Sequence, residues 1–148
     1  MRTAIVLFCL FLAACGESGP PTRGVPVAFE SVCGKANEGK RVMLEGYLSF
    51  PDSYRGDDIT VMMRLRPSLE SQGTPVGASA TLGNEVNHLE KPPDQYQKKD
   101  LKLHLADGQV VGYRDKLQVS GTMYYPSSIA HVEFKCGLTN TLYERANN

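Results

Sequence analysis

Apolar and polar residues alternate along most of the chain with a period of two, the signature of half-buried β-strands. From Arg41 to Phe50, the residues Val42, Leu44, Gly46, Leu48 and Phe50 share one face, and Arg41, Met43, Glu45, Tyr47 and Ser49 share the other. Ile59, Val61, Met63 and Leu65 repeat the pattern against Thr60, Met62, Arg64 and Arg66. Leu101, Leu103 and Leu105 alternate with Lys102, His104 and Ala106. Lys116–Tyr124 places Leu117, Val119, Gly121 and Met123 inward, and His131–Cys136 does the same for Val132, Phe134 and Cys136. This is an all-β pattern.

Between these strands the connections can also be read. Asp107-Gly108 predicts a type I′ hairpin turn, since both central residues of that turn need positive φ, with a short return strand at Gln109–Tyr113. Gly46 and Gly121 occupy inward strand positions, where a missing side chain permits a bend or bulge and lets one strand curl across two neighbours. Helix signals are confined to Phe29–Lys35 and Gly83–Leu89, each too short for a helical layer. The stretch from Pro67 to Asp100 is rich in proline and amides. It is expected to be a mobile surface loop, with one short strand over Val76–Leu82 and Tyr96, near Pro93, as its aromatic anchor.

The amino terminus follows a different rule. Met1-Arg2 supplies one positive charge, and Ile5–Ala14 is an apolar run too short for a permanent membrane span. It ends in Leu12-Ala13-Ala14-Cys15 before Gly16, which resembles the lipobox of bacterial lipoproteins. The resemblance implies removal of residues 1–14, a diacylglyceryl thioether on Cys15 and acylation of the new amino terminus. Two or three acyl chains hold a protein on a bilayer essentially permanently. In a Gram-negative host Gly16, where an Asp would signal inner-membrane retention in enterobacteria, points to the outer membrane, with the folded part facing the periplasm. Residues 15–26 then read as the lipidated cysteine and a flexible linker, reaching about 30 Å at roughly 3.1 Å per residue. The folded domain is expected over residues 27–143, followed by a polar tail at 144–148.

Cysteine counting follows from that processing. Of four cysteines, Cys9 leaves with the leader and Cys15 carries lipid, so Cys33 and Cys136 remain. An exported chain with two remaining thiols most simply joins them. A metal pair or two free thiols are the alternatives. His88, His104 and His131 lack the spacing of a metal site.

Two segments carry a fold resemblance. Gly39-Lys40-Arg41-Val42-Met43-Leu44-Glu45-Gly46-Tyr47, then Asp115–Thr122, then a strand ending in Cys136-Gly137-Leu138, resemble the OB-fold, particularly its small exported tRNA-anticodon-binding-like variants. The resemblance spans Lys40–Leu138. It implies a small OB-like barrel with at most one or two short helices, here closed by the disulfide; a small β-sandwich is the alternative. OB barrels bind extended ligands across an exposed strand face. Here that face offers Tyr47, Arg64, Arg66, Lys102 and His104 as candidate ligand-binding residues.

Charge narrows the chemistry. The 148 residues carry 16 basic and 16 acidic side chains, and loss of Arg2 leaves the processed chain at a net charge of −1. That lacks the electrostatic footprint of nucleic-acid binding, so a peptide, glycan or envelope protein is the favoured partner besides the lipid bilayer. No nucleophile elbow, P-loop or His-Glu-x-x-His occurs, and no catalytic residue, metal site or cofactor is expected. The Asp52–Asp58 loop, with Asp57, is the one segment that could serve a metal-dependent hydrolase, although its spacing is not that of an EF-hand. The sequence thus predicts a membrane-anchored, extracytoplasmic, non-catalytic binding or assembly module. A hydrolase using that loop and an oligonucleotide-binding OB protein are the alternatives.

Overall fold

The computed structural model describes residues 20–54, 59–127 and 133–147. Among these residues eight strands form: β1 Val25–Pro26, β2 Arg41–Ser49, β3 Thr60–Arg66, β4 Val76–Thr81, β5 Leu103–His104, β6 Val110–Val111, β7 Leu117–Tyr124 and β8 Gly137–Arg145. Three single-turn 3₁₀ segments, at Phe29–Ser31, Lys35–Asn37 and Lys98–Asp100, complete the assigned elements. Five strands close a barrel in the order β2-β3-β4-β8-β7 and back to β2, all antiparallel except the β4–β8 junction. The fold is the expected all-β, OB-like barrel, and among the described residues helical structure is limited to those single turns.

The barrel closes because β2 serves two neighbours. Its first part, Arg41–Gly46, pairs with β7, and its last part, Tyr47–Ser49, pairs with β3. The fork falls at Gly46, where a Cβ would overlap the Arg66 backbone carbonyl. A side chain there would keep β3 from approaching. Gly121 plays the second expected part: the β7–β8 register slips between Ser120 and Thr122, and a Cβ at Gly121 would lie 2.7 Å from that of Leu138. Bulges of this kind bend a strand and increase its twist.

Inward faces match the alternation closely. Val42, Leu44, Leu48, Val61, Met63, Leu65, Leu117, Val119 and Met123 are all buried. Leu89, Leu101, Leu103 and Leu105 join the same core from the long connection between β4 and β7. There, residues 88–90 pair with 102–104 through His104 N–H donating to the His88 carbonyl and Glu90 N–H donating to the Lys102 carbonyl. Together with β6 they form a small sheet where a helix could have sat. Cys33 and Cys136 form the expected disulfide, with Cα atoms 5.5 Å apart and a sequence separation of 103.

Several expectations are corrected. Ile59 is exposed, because β3 begins at Thr60. The last strand starts at Gly137, after the cysteine: Glu133–Lys135 form bends, whereas His131 and Val132 lie outside the described residues. Its far end runs through Arg145 and buries Ala146, so the segment read as a polar tail contributes to the barrel. At the other end, β1 lies within the presumed linker and runs parallel to β2. It is held because Gly24 N–H donates to the Ser120 hydroxyl, the Arg41 guanidinium donates to the Thr22 carbonyl and Arg23 bridges to Glu144. This cover explains why Ser120 and Gln118, on the outer face of β7, are also buried.

The connection also departs from the reading. The hairpin at Asp107-Gly108 is not type I′, since Gly108 has positive φ (84°) and Asp107 does not. Gly108 N–H donates to the Leu105 carbonyl and Leu105 N–H to that of Gln109, which makes a type I turn followed by a left-handed glycine. Gly83–Leu89 forms turns and an isolated bridge rather than a helix. The 67–100 segment is an ordered part of the barrel: β4 is a central strand and Leu89 is fully buried. Tyr96 anchors it more firmly than expected. Its ring packs on Phe50 and Tyr54, with centroids 4.8 and 5.5 Å away, and its hydroxyl donates to the Pro51 carbonyl.

Candidate ligand groove

The β2 fork leaves a notch on the outer face of the barrel. There β3 continues beside the end of β2, while β7 departs with the start of it. The 68–72 turn and the Tyr113-Arg114 turn rise on its two sides, and together they bound a groove of about 420 Å³. That lies within the range of small-molecule sites, roughly 300–1,000 Å³. Tyr47 and Arg66 are directly paired across β2 and β3, and Ser49 is paired with Arg64 one rung further. Outward-facing positions on adjacent strands therefore line the groove floor.

Three of the five expected ligand residues, Tyr47, Arg64 and Arg66, meet here. Lys102 and His104 do not line it. Both pair with Glu90, at 3.5 Å and 3.0 Å, because β5 belongs to the separate small sheet. In their place the fold supplies Lys98, Tyr113 and Arg114. The Tyr-Arg dipeptide was visible in the sequence, but its proximity to Arg66 depends on the fork in β2.

The four cations of the groove differ in their commitments. Arg64 is held by both oxygens of Asp52 and by Glu133, and these carboxylates raise its affinity for its proton further. The same guanidinium holds the Asp52 carboxyl below the usual carboxylate range. Arg66 instead donates to the Ser71 and Gly73 carbonyls, shaping the 68–72 turn, and has no ion pair among the described residues. Arg114 lies over the Tyr113 ring, 5.4 Å from its centroid, and donates to that hydroxyl. Lys98 is exposed and has no ion pair among the described residues.

A second concavity of about 360 Å³ shares Arg64 and Lys98 and extends towards Pro51, Asp52 and Tyr96. Asp52 is the described acid of the loop considered for metal chemistry, and its carboxylate is occupied by Arg64. Asp57 and Asp58 lie outside the described residues, as do Cys15 and the lipobox. Among the described residues, no group of three His, Cys, Asp or Glu side chains could hold a metal ion. No helix among them is long and apolar enough to cross a membrane. No protein-family model matches this chain, and no curated protein or solved structure matches it.

Proposed function

We propose that this protein is a non-catalytic binding module, tethered by an acylated Cys15 to the extracytoplasmic face of a membrane, that takes its ligand in the groove at the β2 fork. The carrying observation is the composition of that groove: four cationic side chains and two tyrosines converge on one concavity, and among the described residues no carboxylate lines it. In a chain with equal numbers of acids and bases, such segregation favours an anionic or electron-rich partner. The lipobox-like Leu12-Ala13-Ala14-Cys15 supports the tether, and a disulfide linking the two ends of the domain suits an oxidising compartment. Gly16 supports the outer membrane.

Two measurements test this reading. Cys15→Ser should move the protein from the membrane fraction to the soluble periplasmic fraction; unchanged retention would remove the lipid anchor. A photo-crosslinking residue at Gln72, beside the groove, should capture an adduct in intact cells. The same group at the exposed Val86, on the opposite connection, should not. Equal labelling at both positions, or none at Gln72, would overturn the groove as the ligand site.

A further inference from the structure

Resting on the groove being the ligand site, we infer that its ligand is an acidic saccharide: a sugar ring bearing a carboxylate or phosphate. Two features of the groove lead to this class. The first is uncompensated charge in a short span. Arg64 is neutralised by Asp52 and Glu133, yet Arg66, Lys98 and Arg114 face the same space without an acid partner among the described residues. Cations gathered without counter-charge repel one another, a cost that a bound anion relieves. The Arg114 guanidinium retains donors beyond its bond to Tyr113, and the Lys98 ammonium makes no ion pair among the described residues.

The second feature is what stands between the cations. Tyr47 and Tyr113 present partly buried rings with polar edges, and Ser49, Ser68 and Gln72 add hydroxyl and amide groups that can both donate and accept. A pyranose ring matches this mixture, with an apolar face for an aromatic ring and a belt of hydroxyls for the short polar side chains. An extended nucleic acid fits less well. One face of Tyr113 is already covered by Arg114, and a concavity of about 420 Å³ holds one or two ring units rather than a run of phosphates.

Other ion pairs of the described surface, Glu45–Lys116, Arg23–Glu144 and Arg145–Asp115, are matched one to one, although the first and last of them adjoin the groove residues Tyr47 and Arg114. The excess at the fork is therefore local rather than a property of the whole barrel, and it specifies a small anionic group held at one point.

The test is calorimetric titration of the full chain in detergent with trigalacturonate, with its methyl ester, with glucose 6-phosphate and with a ten-nucleotide oligothymidylate. Expected are saturable binding of trigalacturonate or glucose 6-phosphate, weakening as salt is added, and no binding of the ester. Preference between the two acids assigns the carboxylate or the phosphate. Lys98→Ala and Arg114→Ala, both at exposed positions, should each weaken binding by about tenfold, the scale of one lost charge-assisted hydrogen bond. Tighter binding of the oligonucleotide than of either acid, equal binding of acid and ester, or affinity unchanged in both variants would overturn the assignment. Absence of all saccharide binding, with the Gln72 adduct still formed in cells, would overturn the saccharide and leave the binding-module reading standing. Loss of both would remove the two together.

Discussion

The side-chain oxygen of Asn87 accepts the backbone N–H of Tyr143 at 2.8 Å, while its amide nitrogen donates to the Thr141 carbonyl at 2.6 Å. One side chain thus replaces a rung of sheet along β8. The replacement is needed because β4 and β8 pair only at Gly77–Gly137 and Ala78–Leu138 before they diverge. Thr141 and Tyr143 hydroxyls, both donating to the Ser79 carbonyl, secure the same seam. Burial keeps the Tyr143 phenol protonated far above its ordinary range.

Asn87→Ala should therefore destabilise the barrel by about 1–3 kcal/mol, the usual cost of leaving a buried backbone donor without a partner. Asn87 also has positive φ, 63°, so Asn87→Gly relaxes the backbone but loses both bonds. Urea unfolding of the three proteins should rank wild type above the glycine variant and the glycine variant above the alanine variant. Equal stability of alanine variant and wild type would show that the seam does not depend on this side chain.

Gly46→Ala should cost at least about 1–3 kcal/mol, the range for overpacking a well-packed site. The added methyl would meet the Arg66 carbonyl, which cannot move without breaking the Tyr47–Arg66 pairing. Because the groove is built on that pairing, ligand affinity should fall alongside stability. Gly39→Ala supplies a contrast: nothing lies within 4 Å of its added methyl, so only the strain of its positive φ, 72°, remains. A thermal-denaturation series that found Gly39→Ala the more damaging would count against the fork.

Removing the Cys33–Cys136 bridge should cost up to about 4.7 kcal/mol, the chain-entropy value for a closed loop on the order of 100 residues. Thiol titration of the unfolded, unreduced protein should detect neither of these two cysteines. Denaturation with and without reductant should show a large drop in midpoint, and the double Cys→Ser variant should reproduce the reduced curve.

Acid should weaken the fold from a definite direction. The carboxyls of Glu45 and Asp52 are held below their ordinary ranges, the first by hydrogen bonds from Lys116 and Gln118, the second by Arg64. A depressed folded-state pKa contributes stability above the unfolded value, roughly pH 4, and that contribution is lost as pH falls through the folded value. Denaturant midpoints should accordingly fall between pH 6 and pH 3. The Glu45→Gln, Asp52→Asn double variant should show a smaller fall; an identical fall would assign the acid sensitivity to other groups.

The strand content and the identity of the inward residues could be read from the chain because alternation is a local property. Every second residue of a strand faces the same way wherever its neighbours come from, so Leu44, Met63 and Val119 declare their burial unaided. The bends at Gly46 and Gly121 were legible for a similar reason, since glycine at an inward position leaves a gap that only a bend or close approach fills. The disulfide followed from counting thiols. The 67–100 segment was misread because its buried residues, Val76, Ala78, Ala80 and Leu89, are few and mostly small, and prolines and amides surround them, so they do not declare a central strand.

What the linear order could not contain was proximity. Tyr47 and Arg66 lie on one face by alternation, but their meeting with Lys98 and Arg114 depends on which strands become neighbours after β2 forks. Lys102 and His104 alternate as regularly as Arg64 and Arg66, yet pairing carries them to a different sheet and to Glu90. Pairing between distant strands is chosen by the summed burial of the closed barrel. Alternation along one strand therefore settles which way a side chain faces, and closure of the barrel settles what it faces.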